Sequence, residues 1–396
     1  MISVREAKSC VLSKVQASKI KLVHLDSAFG QVLSESIFAP IDLPNFDNSA
    51  MDGYGISFSD LENGVFTFKI VDEIKAGDQY TGELAPETAC PIYTGAPIPK
   101  GIDVVIPIEK IKESSGSIEI EEYPIVKGQH IRVKGEQIKK GQLALEKGTV
   151  LNPSSLGFIA ALGLKELTVF KKPKIALITT GNELVDIGED LIHGQIYNSN
   201  SHTLKALVQE VGIFDFVSFH TKDTYETTYN CFKNALENYD MIISTGGVSV
   251  GKYDLVAQVL EDLNVEKQFH KVNQKPGKPL YFGLHKKAIV FGLPGNPAAV
   301  ITSFYQYVSP CIKKMQGHAN VTLNNKKATL KHNYLVDSPR TQFLKAKHQN
   351  EQVEILNGQG SHLLQTMAMA NCLVEIPPHT CAKKGDIVSL QLLPHA

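Results

Sequence analysis

Residues 244–254, STGGVSVGKYD, set Gly246, Gly247 and Gly251 among hydroxyls and end on the carboxylate of Asp254. Side-chain-free backbone lets several N–H groups approach an anion closely, and a hydroxyl such as Ser249 adds a further donor. An acid at the end of such a loop repels the anion unless a cation or a proton stands between them. TTGNEL (179–184) and GLPGNPAA (292–299) are two more glycine-bearing loops, each behind a continuous apolar run typical of strands buried on both faces. In an open parallel sheet the C-terminal strand ends converge on one crevice, so three such loops can face one ligand. Any one of them reads equally well as a tight strand exit. Three together, with hydroxyls and the acids Glu183 and Asp254, point to a site for an anionic or polyhydroxylated ligand. Those two acids are the candidates for a divalent cation, since Mg2+ takes carboxylate and phosphate oxygens. None of the loops fits the P-loop or dinucleotide pattern.

Three other stretches could join that chemistry. HKVNQKPGKP (270–279) gathers Lys271, Lys275 and Lys278 around a Pro–Gly turn. Lysines near turns are usually solvated surface; the functional alternative is that Lys275 and Lys278 neutralise a phosphate or oxyanion as flexible point charges. DNSAMDGYG (47–55) packs Asp47, Asn48, Ser49 and Asp52 together, with Met51 and Tyr54 as an apolar frame that would shield Asp52 from water. Its plainer reading is an Asx-type turn. YTGAPIPKG (93–101) offers Thr94 on a loop stiffened by proline. The thirteen histidines are dispersed, without an HExxH pair, and His193, His202, His270 and His362 read as local hydrogen-bonding residues. No GxSxG elbow is present.

The elements that must carry these loops change character along the chain. Val4, Ala7, Val11, Leu12 and Val15 share one helix face behind a capping box of Ser3 and Glu6. LDSAFGQVLSESI reads as a short helix running into an extended exit. Short alternating runs from 40 to 135 predict a small β module, after which NPSSLGFIAALGL returns to helix. The module is therefore expected as an insertion within an N-terminal helical domain made of 1–39 and 136–171. Strand–helix alternation over 172–317 predicts a mostly parallel α/β domain with right-handed crossovers, and 318–396 a β-rich C-terminal domain. The expected fold class is multidomain, α/β and β.

A chain of 396 residues exceeds one ordinary core. With 43% apolar and 20% charged residues and a net charge of -1, it has no global electrostatic reason to bind nucleic acid or an anionic membrane. Six scattered cysteines without a CxxC spacing argue against a structural zinc site and for reduced thiols in the cytoplasm. The N-terminus lacks the apolar core of a signal peptide, and no stretch approaches 18 uninterrupted apolar residues.

Taken together, PNFDNSAMDGYG, YTGAPIPKGIDVVIPIE, ALITTGNELV, IYNSNSHTL, STGGVSVGKYD, KPGKPLYFG, GLPGNPAAV, RTQFLKA and GQGSHLL…MANC run in consistent order over essentially the whole chain. This set resembles the molybdopterin molybdenumtransferase family, which includes the C-terminal domain of gephyrin. The resemblance implies the last step of molybdenum cofactor assembly. Adenylylated molybdopterin and molybdate would be the substrates, AMP and molybdenum cofactor the products, and Mg2+ the usual cation. It also implies a homodimer whose cleft is shared between the α/β domain of one subunit and the small β domain of the other. A molybdopterin adenylyltransferase would donate the substrate.

By motif, the resemblance assigns Asp52, Glu183, Asp223 and Asp254 as catalytic acids, with Asp52, Glu183 and Asp254 around the cation. Substrate binding would fall to Ser49, Thr94, Gly246, Gly247, Ser249, Lys275, Lys278, Pro294, Asn296, Pro297, Arg340 and Ser361. Gln137 stands where some family members carry Asp, which would keep hydrogen bonds and lose charge. A tungstate-selective version of the same enzyme and a non-catalytic scaffold are the alternatives.

Overall fold

The computed structural model describes residues 1–79, 82–121, 123–248 and 255–394. Its centre is a six-stranded sheet whose strands we number β1 Ile175–Thr180, β2 Phe216–Thr221, β3 Met241–Thr245, β4 Glu266–Lys271, β5 Pro279–His285 and β6 Ala288–Leu293. The strand order is β2-β1-β3-β6-β5-β4. The first four in that order are parallel, and at one edge β5 runs antiparallel to both its neighbours, β6 and β4. Every residue of β1, β3 and β6 is buried, which is why each reads as an unbroken apolar run, closed in β1 and β3 by small polar residues. The chain leaves β1 towards β2 on one side and returns to β3 on the other. The crevice between the exits of β1 and β3 is therefore the switch point at which such sheets hold ligands.

The helix Val4–Lys14 carries the expected capping box, with Glu6 N–H donating to Ser3 Oγ at 3.2 Å and Ser3 N–H to Glu6 Oε2 at 2.7 Å. It packs into the central core, not against the helix Pro153–Ala161: Val4, Ala7, Val11 and Val15 join Ile175, Leu177, Leu204 and Val308 in one cluster. Burying those three valines is worth roughly 5 kcal/mol as an upper figure, enough to seat a helix this short. Residues on either side of the β module meet each other, with Ile20–His24 antiparallel to Glu166–Phe170 around Leu33, Ile37, Leu151 and Ile159. The segment read as a helix after Val23 is only a 3-10 turn, Leu25–Ser27.

The inserted module is a six-stranded sheet in which Gly53–Ile56 lies between Val104–Pro107 and Thr88–Ile92. In the C-terminal domain Thr341–Gln349, Gln352–Ile355, Asn324–Leu330, Ile387–Leu392 and Cys372–Ile376 close on themselves through the pairing of the first with the last. A short strand from the central domain, Gln274–Lys275, extends this sheet by pairing with Thr341 and Gln342. All six cysteines are free thiols. Among the described residues no helix is long and apolar enough to cross a membrane.

Candidate active site

Register aligns the exits of three strands, with Thr179 opposite Thr245 and Thr245 opposite Leu293. Beyond them opens a cleft of about 410 Å³. Thr180, Glu183 and Leu184 line it from the β1 exit, Thr245 and Gly246 from β3, and Gly295 to Pro297 from β6. Residues 196–200 close one side, and His362 reaches in from the C-terminal domain. The walls are tied by amides. Asn200 Nδ2 donates to Thr245 Oγ1 at 3.2 Å and to the Gly295 carbonyl at 2.8 Å, while Thr245 Oγ1 donates to the Pro294 carbonyl at 2.8 Å. Asn198 donates to Thr179 Oγ1 at 3.0 Å and caps the helix Ser199–Glu210 through Ser201 N–H at 3.1 Å.

Gly246 cannot be another residue here. Its φ is +90°, and a Cβ would stand 2.5 Å from the Thr180 carbonyl oxygen. Among the described residues two buried polar atoms at this place, Thr180 Oγ1 and Asn200 Oδ1, have no hydrogen-bond partner, a demand that a polar ligand or water meets. Glu183 keeps an exposed carboxylate at the mouth. Asp223 is engaged differently: its carboxylate accepts from Asn182 N–H at 3.2 Å, and its own N–H donates to Asn182 Oδ1 at 3.1 Å. It braces the TTGNEL loop against the exit of β2.

The C-terminal domain supplies the remaining wall. Asn296 Nδ2 donates to Ser361 Oγ at 2.9 Å, and Ala298 N–H to the Ser361 carbonyl at 3.0 Å. Ser361 and His362 ride on a loop held from beneath by Lys345, which is only 3% exposed. Its ammonium donates to the carbonyls of Gly358 at 2.8 Å, Gly360 at 3.0 Å and Leu363 at 3.3 Å. Burial pulls its pKa down, and the three carbonyls satisfy the charge without a carboxylate. Lys275 is exposed, whereas Lys278 and Arg340 are half-buried. Asn273 Nδ2 donates to the Pro339 carbonyl at 3.0 Å, which ties the lysine loop to the residue before Arg340.

In the β module Asp52 is exposed, so the shielding expected from Met51 and Tyr54 is absent. Tyr54 instead turns into the module core and donates to Glu113 at 2.9 Å. Thr94 fixes Asp52, with N–H and Oγ1 both 2.8 Å from Asp52 Oδ1. Those bonds hold the carboxyl below its ordinary pKa, so it stays ionised. Ser49 is fully buried, and its hydroxyl donates to the Met51 carbonyl at 2.6 Å, shaping the turn that presents Asp52. Gln137 is exposed.

Asp52 and Thr94 do not line the cleft that holds Glu183. Ser249 and Asp254 lie outside the described residues. Among the described residues no three His, Cys, Asp or Glu side chains cluster to hold a metal ion. Sequence reasoning missed the roles of Asn198, Asn200, Lys345 and His362. The NSNS run could have signalled a helix cap over a site, but nothing local marks Lys345.

The chain matches three family descriptions in succession. They are the MoeA N-terminal region (domain I and II) over residues 2–163, a probable molybdopterin binding domain over 176–314, and the MoeA C-terminal region (domain IV) over 327–393. It is 35% identical over 408 residues to a molybdopterin molybdenumtransferase of Haemophilus influenzae, covering 100% of this chain and 99% of the relative. Over 384 residues it is 33% identical to one from Staphylococcus aureus, covering 95% and 91%. A solved molybdopterin biosynthesis MoeA protein from Pyrococcus horikoshii superposes with a TM-score of 0.84 at 29% identity, covering 99% of this chain and 100% of that one.

Proposed function

The chain belongs to the molybdopterin molybdenumtransferase (MoeA) family of molybdenum cofactor biosynthesis, and on that premise we propose that it inserts molybdate into adenylylated molybdopterin with release of AMP. The observation that carries this reading is the cleft at the switch point. Three glycine and amide loops, a helix N-terminus, and Thr180 and Asn200 oxygens that have no partner among the described residues face one cavity sized for a nucleotide-like ligand.

Each residue then has work of its own. Gly246 and Gly247 bring backbone close to phosphoryl oxygens, and Ser249 and Asn296 add donors. Pro294 and Pro297 keep the β6 loop rigid, so little ordering entropy is lost on binding. Ser361, Arg340, Lys275 and Lys278 receive the oxyanion, the charged side chains lowering the cost of bringing a dianion beside a phosphorylated substrate. Asp223 steadies the loop that carries Glu183. Asp52, held by Thr94, and Glu183 are exposed carboxylates. Mg2+ characteristically takes one or two carboxylates and completes its shell with phosphate oxygens and water, so Glu183 at the cleft, joined by an Asp52 from a second subunit, would suit it. When bound, it would offset charge on the phosphoryl oxygens. Asp254 is assigned to the same cation by its motif.

We propose a homodimer for a physical reason: Ile20, Leu22, Phe29 and Phe38, and also Ile187, Leu191, Ile192 and Ile196, expose large apolar surface in one chain. A partner subunit covering it would bring a second chain's Asp52 to this cleft. A molybdopterin adenylyltransferase would deliver the substrate, and the free thiols suit a cytoplasmic setting. Whether molybdate or tungstate is preferred is settled by titrating both.

Changing Lys275 and Lys278 together to Ala is expected to weaken binding of adenylylated molybdopterin by about 10- to 100-fold, the scale of lost charge-assisted contacts. Calorimetry at two salt concentrations measures it, with circular dichroism as the fold control. Parent-like affinity at both concentrations would remove the lysines from the site.

A further inference from the structure

The helical run after the PGNP loop is not regular: Pro297–Ser303 and Ser309–Met315 are α-helical, and Phe304–Val308 between them is a π turn with every side chain buried. One inserted residue rotates the downstream helix by about 100°. It leaves the Tyr307 hydroxyl donating to Gln274 Oε1, both residues being fully buried. Gln274 immediately precedes Lys275, and its amide donates across the turn to the Gly277 carbonyl at 3.2 Å. Gly277 has φ +85°, and a Cβ there would press on Ser303 Oγ at 2.7 Å and Gln274 Nε2 at 2.8 Å. Lys278 closes the loop by accepting Val272 N–H on its carbonyl at 3.0 Å. On the other side, Gln274 and Lys275 pair with Thr341 and Gln342, next to Arg340. The buried hydroxyl–amide link therefore sits directly beneath the loop that carries Lys275 and Lys278 and beside the strand that follows Arg340.

We propose that Tyr307 and Gln274 are positioning residues, and that the π turn places the Tyr307 hydroxyl under the lysine loop to hold Lys275 and Lys278 in register with Arg340 for a tetrahedral oxyanion. This rests on the proposed function for the identity of the oxyanion, but not for the mechanical link. Replacing the hydroxyl leaves a buried amide oxygen unpaired and frees the loop.

The test is Tyr307→Phe in the full-length protein, with Gln274→Met as a second variant cutting the same link from the loop side. Expected are about 10-fold faster hydrogen exchange at the amides of Gln274, Lys275, Gly277 and Lys278 with distant strands unchanged, about 10-fold weaker molybdate binding, and kcat at saturating molybdate within about twofold of the parent. In a Lys275→Ala, Lys278→Ala background, Tyr307→Phe should change molybdate affinity by less than about twofold, since its effect runs through those lysines. Unchanged exchange at 274–278 in both variants, or the same loss of affinity in the lysine-free background, overturns the proposal. If the parent binds no molybdate, the functional reading fails, and the exchange measurement alone decides the positioning role.

Discussion

Asp52→Asn is expected to lower kcat by about 100-fold while leaving the fold intact. The side chain is exposed, and asparagine keeps an oxygen for the two Thr94 bonds, so geometry survives and only the charge is lost. Steady-state rates across a Mg2+ titration measure the effect, which should include a weaker apparent cation affinity. An unchanged rate and cation dependence would take Asp52 out of the reaction. The same variant tests the shared cleft. Glu183 lines the switch-point cavity and Asp52 does not. In a mixed dimer of Asp52→Asn and Glu183→Ala subunits, a cross-subunit site leaves one of the two centres with both acids, restoring about half the parent activity. Mixed dimers as inactive as either parent variant would place both residues in one chain's site.

Gly53→Ala should destabilise the β module by about 3 kcal/mol, more than any neighbouring Gly→Ala change. Gly53 sits between two strands, and an added Cβ would stand 2.1 Å from the Ile106 carbonyl oxygen, a backbone atom that cannot move without opening the sheet. Gly55 is the control. The atoms nearest its Cβ would be those of the Ile102 side chain, from 2.6 Å, and a side chain yields more readily than a strand carbonyl; about 1 kcal/mol is expected there. Hydrogen exchange of the Gly53–Ile56 and Thr88–Ile92 amides reports the module's own opening energy. Equal losses in the two variants would refute the close-approach account of this glycine.

That glycine shows what the sequence could not say. Gly53 stood out in no way within DNSAMDGYG, because the strand backbone that passes against it lies about 50 residues further on. The unbroken apolar runs ending at Thr180, Thr245 and Leu293 did announce buried parallel strands, and their glycine exits announced the cleft. Periodicity failed where a contact is set by distant chain. Val4, Ala7 and Val11 revealed a helix face without revealing which core it enters. Met51 and Tyr54 looked like a shield for Asp52, yet the Ser49 turn throws Asp52 outward to Thr94, 42 residues away. Lys345 looked like any strand lysine. Its burial depends on carbonyls 13 to 18 residues further on, which no local pattern encodes. KPGKP read as a Pro–Gly turn ahead of a strand, and the edge pairing of Gln274 and Lys275 with Thr341 and Gln342 is a contact between domains that no local pattern encodes.

The central claim is oxyanion insertion coupled to AMP release, and one anaerobic single-turnover measurement addresses it most directly. The protein is mixed with adenylylated molybdopterin and Mg2+, with and without molybdate, and AMP and metal-loaded pterin are quantified together. The account predicts one AMP per metal-loaded pterin, with AMP release dependent on the oxyanion. No AMP with either molybdate or tungstate, or AMP release at the same rate without any oxyanion, would contradict it.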